Sequence, residues 1–286
     1  MATGSNGGII GPDNDPVIND LITTATSSQP GFAVQPGTSA VSVLIVAGGG
    51  NSNPGGQAGA GGAGGYRYFP SVSVTGGNPY PLVVGGASSN SSAFGYSATG
   101  GGDGVAPRGT TPGGPGGSGG GSADHHPSGG GSGGSGNAGG YTPPEGNPGS
   151  GASPAANSGE TPGAGGGASG AGVIGSNPSG GSYTAIGGAG TDNDITGTSL
   201  RYATGGFHPK GPGPSPTAQA QGYPSRGEPG SQSGMENTGN GTHGEGPSSG
   251  ASGVVIVAEA GQGTFVASGV WTLEEQLTAK KAGNWK

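Results

Sequence analysis

The sequence predicts a mainly β and irregular fold: a small antiparallel β-unit, an inserted polyglycine-II helix bundle and a short C-terminal α-helix. Three observations lead there. β-Branched, apolar runs cluster in the first third of the chain and return at residues 253–259. Between them, residues 87–251 carry almost no strand signal and are dense in Gly and Pro. After them, "VWTLEEQLTAKKAGNW" has the plan of a helix. The expected division is an N-terminal arm (1–20), the first part of a β-base (21–86), a Gly-rich region (87–251), the closing part of the base (252–268) and a helical tail (269–286).

Composition sets the bounds. The 286 residues include 76 Gly and 25 Pro, and only 28% are hydrophobic and 8% charged. Ordinary domains are about 45–50% apolar and about 25% charged, so this chain cannot fill two ordinary cores. Its net charge of −7 is too small for repulsion to force it open. With no cysteine, disulfides and thiolate metal sites are excluded. No apolar run approaches the roughly 20 residues of a membrane-spanning helix, so no membrane insertion is expected. The first 20 residues lack the basic and apolar regions of a signal peptide. Release by lysis is then the expected route out of a cell. Eight Lys plus Arg against 15 Asp plus Glu argue against a nucleic-acid partner.

The elements follow in order. "LITTATSS" (21–28) and "GFAVQPG" (31–37) lead into "AVSVLIVAGGG" (40–50), the strongest strand signal. In it Val41, Val43 and Ile45 face one way and Leu44 and Val46 the other, so both faces should be buried. "YRYFPSVSVTGG" (66–77) alternates through Val72 and Val74, and "NPYPLVVGG" (78–86) reads as its hairpin partner across "TGGN". "GVVIVAE" (253–259) supplies the strand that closes the unit, and "GTFVASG" (263–269) a short extended piece.

The long middle has no Gly-X-Y period, which excludes a collagen triple helix. Gly and Pro disfavour α-helix and ordinary sheet alike. Disorder is one outcome. The ordered alternative is a set of extended three-residue-per-turn helices that bond to one another, because Gly lets their backbones approach. Such a bundle satisfies buried backbone groups with almost no apolar core.

Chemistry-bearing residues are sparse. Asp124, His125 and His126 sit in "SADHHPSG", but His208 and His243 are far away in sequence, and adjacent side chains of an extended chain point apart. A polar loop tip is preferred to a metal site. Asp192 and Asp194 in "TDNDI" lack the rest of a calcium loop and suit an Asx turn. Gly-x-Gly-x-x-Gly matches mean nothing in so Gly-rich a chain without a strand–turn–helix context. No paired carboxylates or nucleophile–base order is found, so the expectation is no enzyme, no cofactor and no metal. Tyr66, Tyr68 and Phe69 are expected at the junction of base and Gly region. Tyr141, Tyr202, Phe207 and Tyr223, with the tip at His125 and His126, are the candidate receptor-contact residues, since loop aromatics offer large rigid surfaces. Their plainer role is to space and cover the bundle.

In the tail, Thr272 and Glu275 form a capping box and Gly283 a C-terminal stop. So short a helix needs a docking partner. Trp271, Leu273, Leu277 and Trp285 are the candidate assembly residues.

The segment 22–50 resembles the opening of a glycine-rich domain of bacteriophage tail-fibre and receptor-binding proteins. Phe32, Val34, Pro36 and Gly37 carry the likeness, followed by the strand from Val41 into Gly50. "GGYRYFPSVSVTGGNPYPLVVGGA" (64–87) looks like the next element, "GASGVVIVAE" (250–259) is similar to the closing strand, and 268–286 resembles the Trp-to-Trp tail of many phage fibres. The closing strand departs from the pattern in ending on Ala-Glu. The resemblance implies an ordered polyglycine-II sandwich on a β-base, displayed on a virion. It further implies contact with a host surface glycan or protein through distal loops, beside other virion proteins. A homo-oligomer, a trimer in preference, is expected. The alternative is a capsid decoration or fibre-joining protein without receptor specificity.

Overall fold

The computed structural model describes residues 20–54, 58–106, 110–123, 131–152, 162–174, 185–207, 236–244 and 248–261. The N-terminal arm before Asp20, the "SADHHPS" tip from Asp124, Tyr223, "GTFVASG" and the C-terminal tail lie outside the described residues for all or nearly all of their length. The chain divides into two units, and the strands below belong to the larger, Ile22–Glu259, except for Leu21.

Mainly β is what the described residues form, with no helix among them. One sheet contains β1 (Leu21–Ala25), β3 (Ala40–Val46), β4 (Tyr66–Ser73) and β12 (Val254–Glu259), in the order β1-β12-β3-β4. A second contains β2 (Gln29–Ala33), β5 (Pro79–Val83), β6 (Ser91–Ala93) and β7 (Tyr96–Ala98), in the order β2-β5-β6-β7. β12 pairs antiparallel with β3 from Val254↔Val46 to Glu259↔Val41, so the last strand does close the first. The alternation in β3 has the expected effect. Val41, Val43 and Ile45 join Val72, Val255 and Val257 on the face that meets Phe32, Leu82 and Ala93 of the second sheet. Leu44 and Val46 join Val254 and Ile256 on the opposite face, beneath Ala63, Tyr202 and Ala203. The closing Glu259 is buried because its carboxylate accepts from the Gln35 amide (2.8 Å) and the Thr38 hydroxyl (3.4 Å).

Two expectations are corrected. The turn at "TGGN" exists, with the Asn78 amide donating to the Thr75 carbonyl and Gly77 at φ +80°. Yet β4 and β5 are not a hairpin: β4 pairs with β3, and β5 pairs with β2 and β6. The chain crosses between sheets there, which lets Val72 and Leu82 face the same core. Strand structure also continues past Gly86. β6 and β7 form a hairpin through Phe94 and Gly95, both at positive φ. The Phe94 ring is held by Phe32 (centroids 6.3 Å apart) and Tyr80 (5.1 Å). Two ribbons, β8 (Val173–Ile174) with β9 (Ala185–Ile186) and β10 (Thr191–Asn193) with β11 (Leu200–Tyr202), lie within the Gly-rich region.

The other described residues of that region, together with 58–65 ahead of it, belong to no named strand or helix, yet their backbone is bonded in a period of three. Along 59–65, amides 59, 62 and 65 donate to carbonyls 105, 102 and 99. Amides 60 and 63 donate to 163 and 166, and amides 61 and 64 to 242 and 239. Each segment therefore addresses three neighbours in turn. The pattern recurs at 118 and 121 (to 63 and 60), 119 and 122 (to 147 and 150), and 165 and 168 (to 206 and 203). A Cβ added to Gly61 would collide with the Gly50 carbonyl, and one on Gly62 with the carbonyls of Ser118 and Gly119. Neither glycine is at positive φ, so it is the missing side chain that the site requires. Ala60 and Ala63, in the remaining direction, are fully buried, and Ala63 packs on the sheet.

Candidate recognition surface

The edge strands β4 and β7 meet on one flank of the sandwich, where Arg67 Nη1 donates to the Ser97 carbonyl (2.8 Å). Alternation along β4 separates its aromatics. Tyr66 turns toward the Gly-rich side, where its hydroxyl accepts from Asn193 Nδ2 (2.9 Å). Arg67 and Phe69 turn toward the second sheet. The Phe69 ring lies 4.2 Å from Tyr96, and the Arg67 guanidinium carbon lies 4.8 Å from the Phe69 centroid. Tyr141 closes the arrangement from outside the sheets. Its ring centroid is 3.8 Å from the same guanidinium carbon and its hydroxyl is 2.8 Å from Ser97 Oγ. The result is an arginine clasped between two rings, with a third, 40% exposed, alongside.

The loop carrying Tyr141 is held from within. Asn137, at φ +54°, accepts from the amides of Tyr141 (3.1 Å) and Glu145 (3.4 Å) and donates to the Tyr141 carbonyl (3.0 Å). Glu145 is 1% exposed, and its carboxylate accepts from the amides of Thr99 (2.8 Å) and Gly139 (3.2 Å). Its carbonyl accepts from the Tyr66 amide, tying the loop to the start of β4. The two bonds to the carboxylate hold the loop from a buried acceptor.

Of the candidate contact residues, Tyr141 is half-buried on this flank. Tyr202 and Phe207 are corrected: they are 3% and 4% exposed and offer no loop surface. Tyr202 packs on Val254 and Ile256, which pushes its hydroxyl pKa up through burial, and Phe207 lies tilted against His243 with centroids 4.0 Å apart. Burial raises Tyr66 as well, partly offset by the bond from Asn193. His125, His126, Tyr223, Trp271, Leu273, Leu277 and Trp285 lie outside the described residues. Tyr68 is 42% exposed instead of closing a junction, whereas Tyr66 and Phe69 do pack between layers.

In "TDNDI" an Asx turn is present, made by Asn193, whose carboxamide oxygen accepts from the Ile195 amide (2.9 Å), whereas the Asp192 carboxylate is turned to Arg201. Asp192 forms a two-pronged pair with Arg201 (2.7 and 2.9 Å), which lowers the Asp192 pKa. Among the described residues no group of three or more His, Asp or Glu could hold a metal, and no helix is long and apolar enough to cross a membrane. A groove of about 480 Å³ on the opposite side of the sheet is lined by Thr24, Leu200, Tyr202, Val254 and Ile256 among others. Its one arginine, Arg201, is already paired with Asp192. The β4–β7 flank is the better site for recognition, because a charged fork and aromatic faces converge there.

Sequence reasoning passed over Arg67, Tyr96, Asn137 and Glu145. The signal within "YRYF" was a lone cation among aromatics. Neither family models nor curated proteins match the chain.

Proposed function

We propose that the chain is a non-enzymatic virion protein, a tail fibre or tip adhesin that attaches a phage to its host surface. In this reading the Gly-rich body is a sandwich of polyglycine-II helices standing on the β-base. The threefold backbone bonding of 59–65 supports it most directly. Three residues per turn and three bonded neighbours are what that helix provides, and glycine is what such close spacing demands. A body of this kind is stiff without bulky side chains, which suits a part displayed on a particle. Other virion proteins would hold it through the N-terminal arm or the tail residues Trp271, Leu273, Leu277 and Trp285, as a homo-oligomer. A host glycan or protein would be its target.

Two measurements test this. Labelled antibody and electron microscopy should place the protein on the tail of the particle, and added purified protein should block adsorption. A protein absent from particles would overturn the reading. One present on particles that never competes with adsorption would leave a structural, decorating role in its place.

A further inference from the structure

We infer that the flank between β4 and β7 binds a sugar carrying a carboxylate, with Arg67 receiving the acid group and Tyr96 the sugar face. The inference rests on the attachment reading for its biological sense, but its binding chemistry stands on the residues themselves.

Arg67 is unusual in this molecule. Of Lys and Arg, the described residues contain two, Arg67 and Arg201, and Arg201 is taken by Asp192. Arg67 lies within ion-pair distance of no carboxylate among them. One N–H donates to the Ser97 carbonyl, which leaves most of a five-donor fork for a ligand. That fork is planar and matches a carboxylate two-pronged. It is also immobilised beforehand, by the rings of Tyr141 and Phe69 and by the Ser97 bond, so little side-chain freedom is lost on binding.

The neighbours set the rest of the chemistry. Tyr96 stacks on Phe69 and still presents 40% of its surface, a flat apolar face with a polar rim. A pyranose ring offers the matching combination of an apolar C–H face and hydroxyls. The Tyr141 and Ser97 hydroxyls, bonded to each other, stand beside the guanidinium and retain capacity for ligand hydroxyls. A neutral sugar would leave the fork unused, whereas a small acid would leave Tyr96 unused. An acidic sugar uses both.

The test uses the full-length protein in solution at physiological salt. It is titrated with an oligosaccharide of hexuronic acid, its neutral hexose counterpart and a hexose 6-phosphate. Calorimetry gives affinity, and NMR follows the Arg67 Nε–H and the rings of Tyr96 and Tyr141. The hexuronate should bind at least about tenfold more tightly than the neutral sugar and perturb all three groups. Arg67→Lys, which keeps charge but loses the fork, should weaken binding about tenfold. Tyr96→Ala should weaken it several-fold at unchanged melting temperature. Tighter binding of the phosphate, equal binding of the neutral sugar, signals elsewhere on the protein or no binding at millimolar ligand would each overturn the assignment. Should Arg67→Lys fail to fold, the signals of the unaltered protein still decide. Failure here combined with blocked adsorption would sink the ligand and leave the adhesin. Binding here without blocked adsorption would do the reverse.

Discussion

The β-sandwich and the Gly-rich body meet the same demand in opposite ways. Both must bury backbone and pair every buried amide and carbonyl. The sandwich does so with two directions of bonding in a sheet and fills the perpendicular direction with Val, Leu, Ile and Phe. The body bonds in three directions, so little space is left for side chains, and Gly and Ala line it. A sandwich core residue stabilises through the area it removes from water. A body glycine stabilises through the carbonyl that it allows to come near. The two regions should therefore respond to opposite kinds of mutation.

Truncation should damage the sandwich most. Ile256→Ala removes a 1% exposed side chain that meets Leu44, Val46 and Tyr202, and should cost about 2–5 kcal/mol in chemical denaturation. Enlargement should damage the body. Gly62→Ala places a methyl against two backbone carbonyls and should cost about 3 kcal/mol, while Gly86→Ala, which meets nothing within 4 Å, should leave stability within about 0.5 kcal/mol. If both glycine variants melt alike, the comparison fails. Glu145→Gln sits where the regions join. It replaces one charged acceptor by a donor facing an amide, and should cost about 2 kcal/mol and speed hydrogen exchange at Thr99 or Gly139. The smallest effect is a pH response. Tyr66 and Tyr202 have phenol pKa values raised by burial, so the folded state holds their protons longer than the unfolded one. Their contribution is complete below the ordinary phenol value of 10.0 and is lost as pH rises through the raised values. Melting temperature should fall in that alkaline range, and Asn193→Ala should shift the Tyr66 phenolate absorbance further upward.

The same contrast explains what the residues disclosed in advance. β3 and β12 are written in β-branched alternation, so their two-faced burial was readable. β6 and β7 were not, because "SSA" and "YSA" contain no strand-like run. Their shape comes from tertiary support, such as the buried Ser91 hydroxyl accepting from the Gly85 amide (3.0 Å). The β4–β5 crossing was hidden for a related reason. A tight turn states that two strands are consecutive, but their partners state which sheet each joins. Tyr202 and Phe207 read as loop aromatics because the stretch that joins them is Ala-Thr-Gly-Gly; a backbone packed this closely can bury a ring without a strongly apolar sequence around it. The flank around Arg67 gathers residues from two strands and a loop about 75 residues apart at the extremes, so no local pattern announces it.

The pairing of Val46 with Val254 has a consequence for synthesis. These neighbours are about 200 residues apart, and a ribosome making roughly 5–20 residues per second separates them by some 10–40 s. For that interval β3, the most apolar strand, waits with one edge open and prone to wrong partners. Once β4 to β7 have emerged, most of the chain that follows is rich in Gly, Pro, Ser and Asn, which offers that edge little to mispair with. The composition of the body thus also guards the nascent chain until β12 arrives.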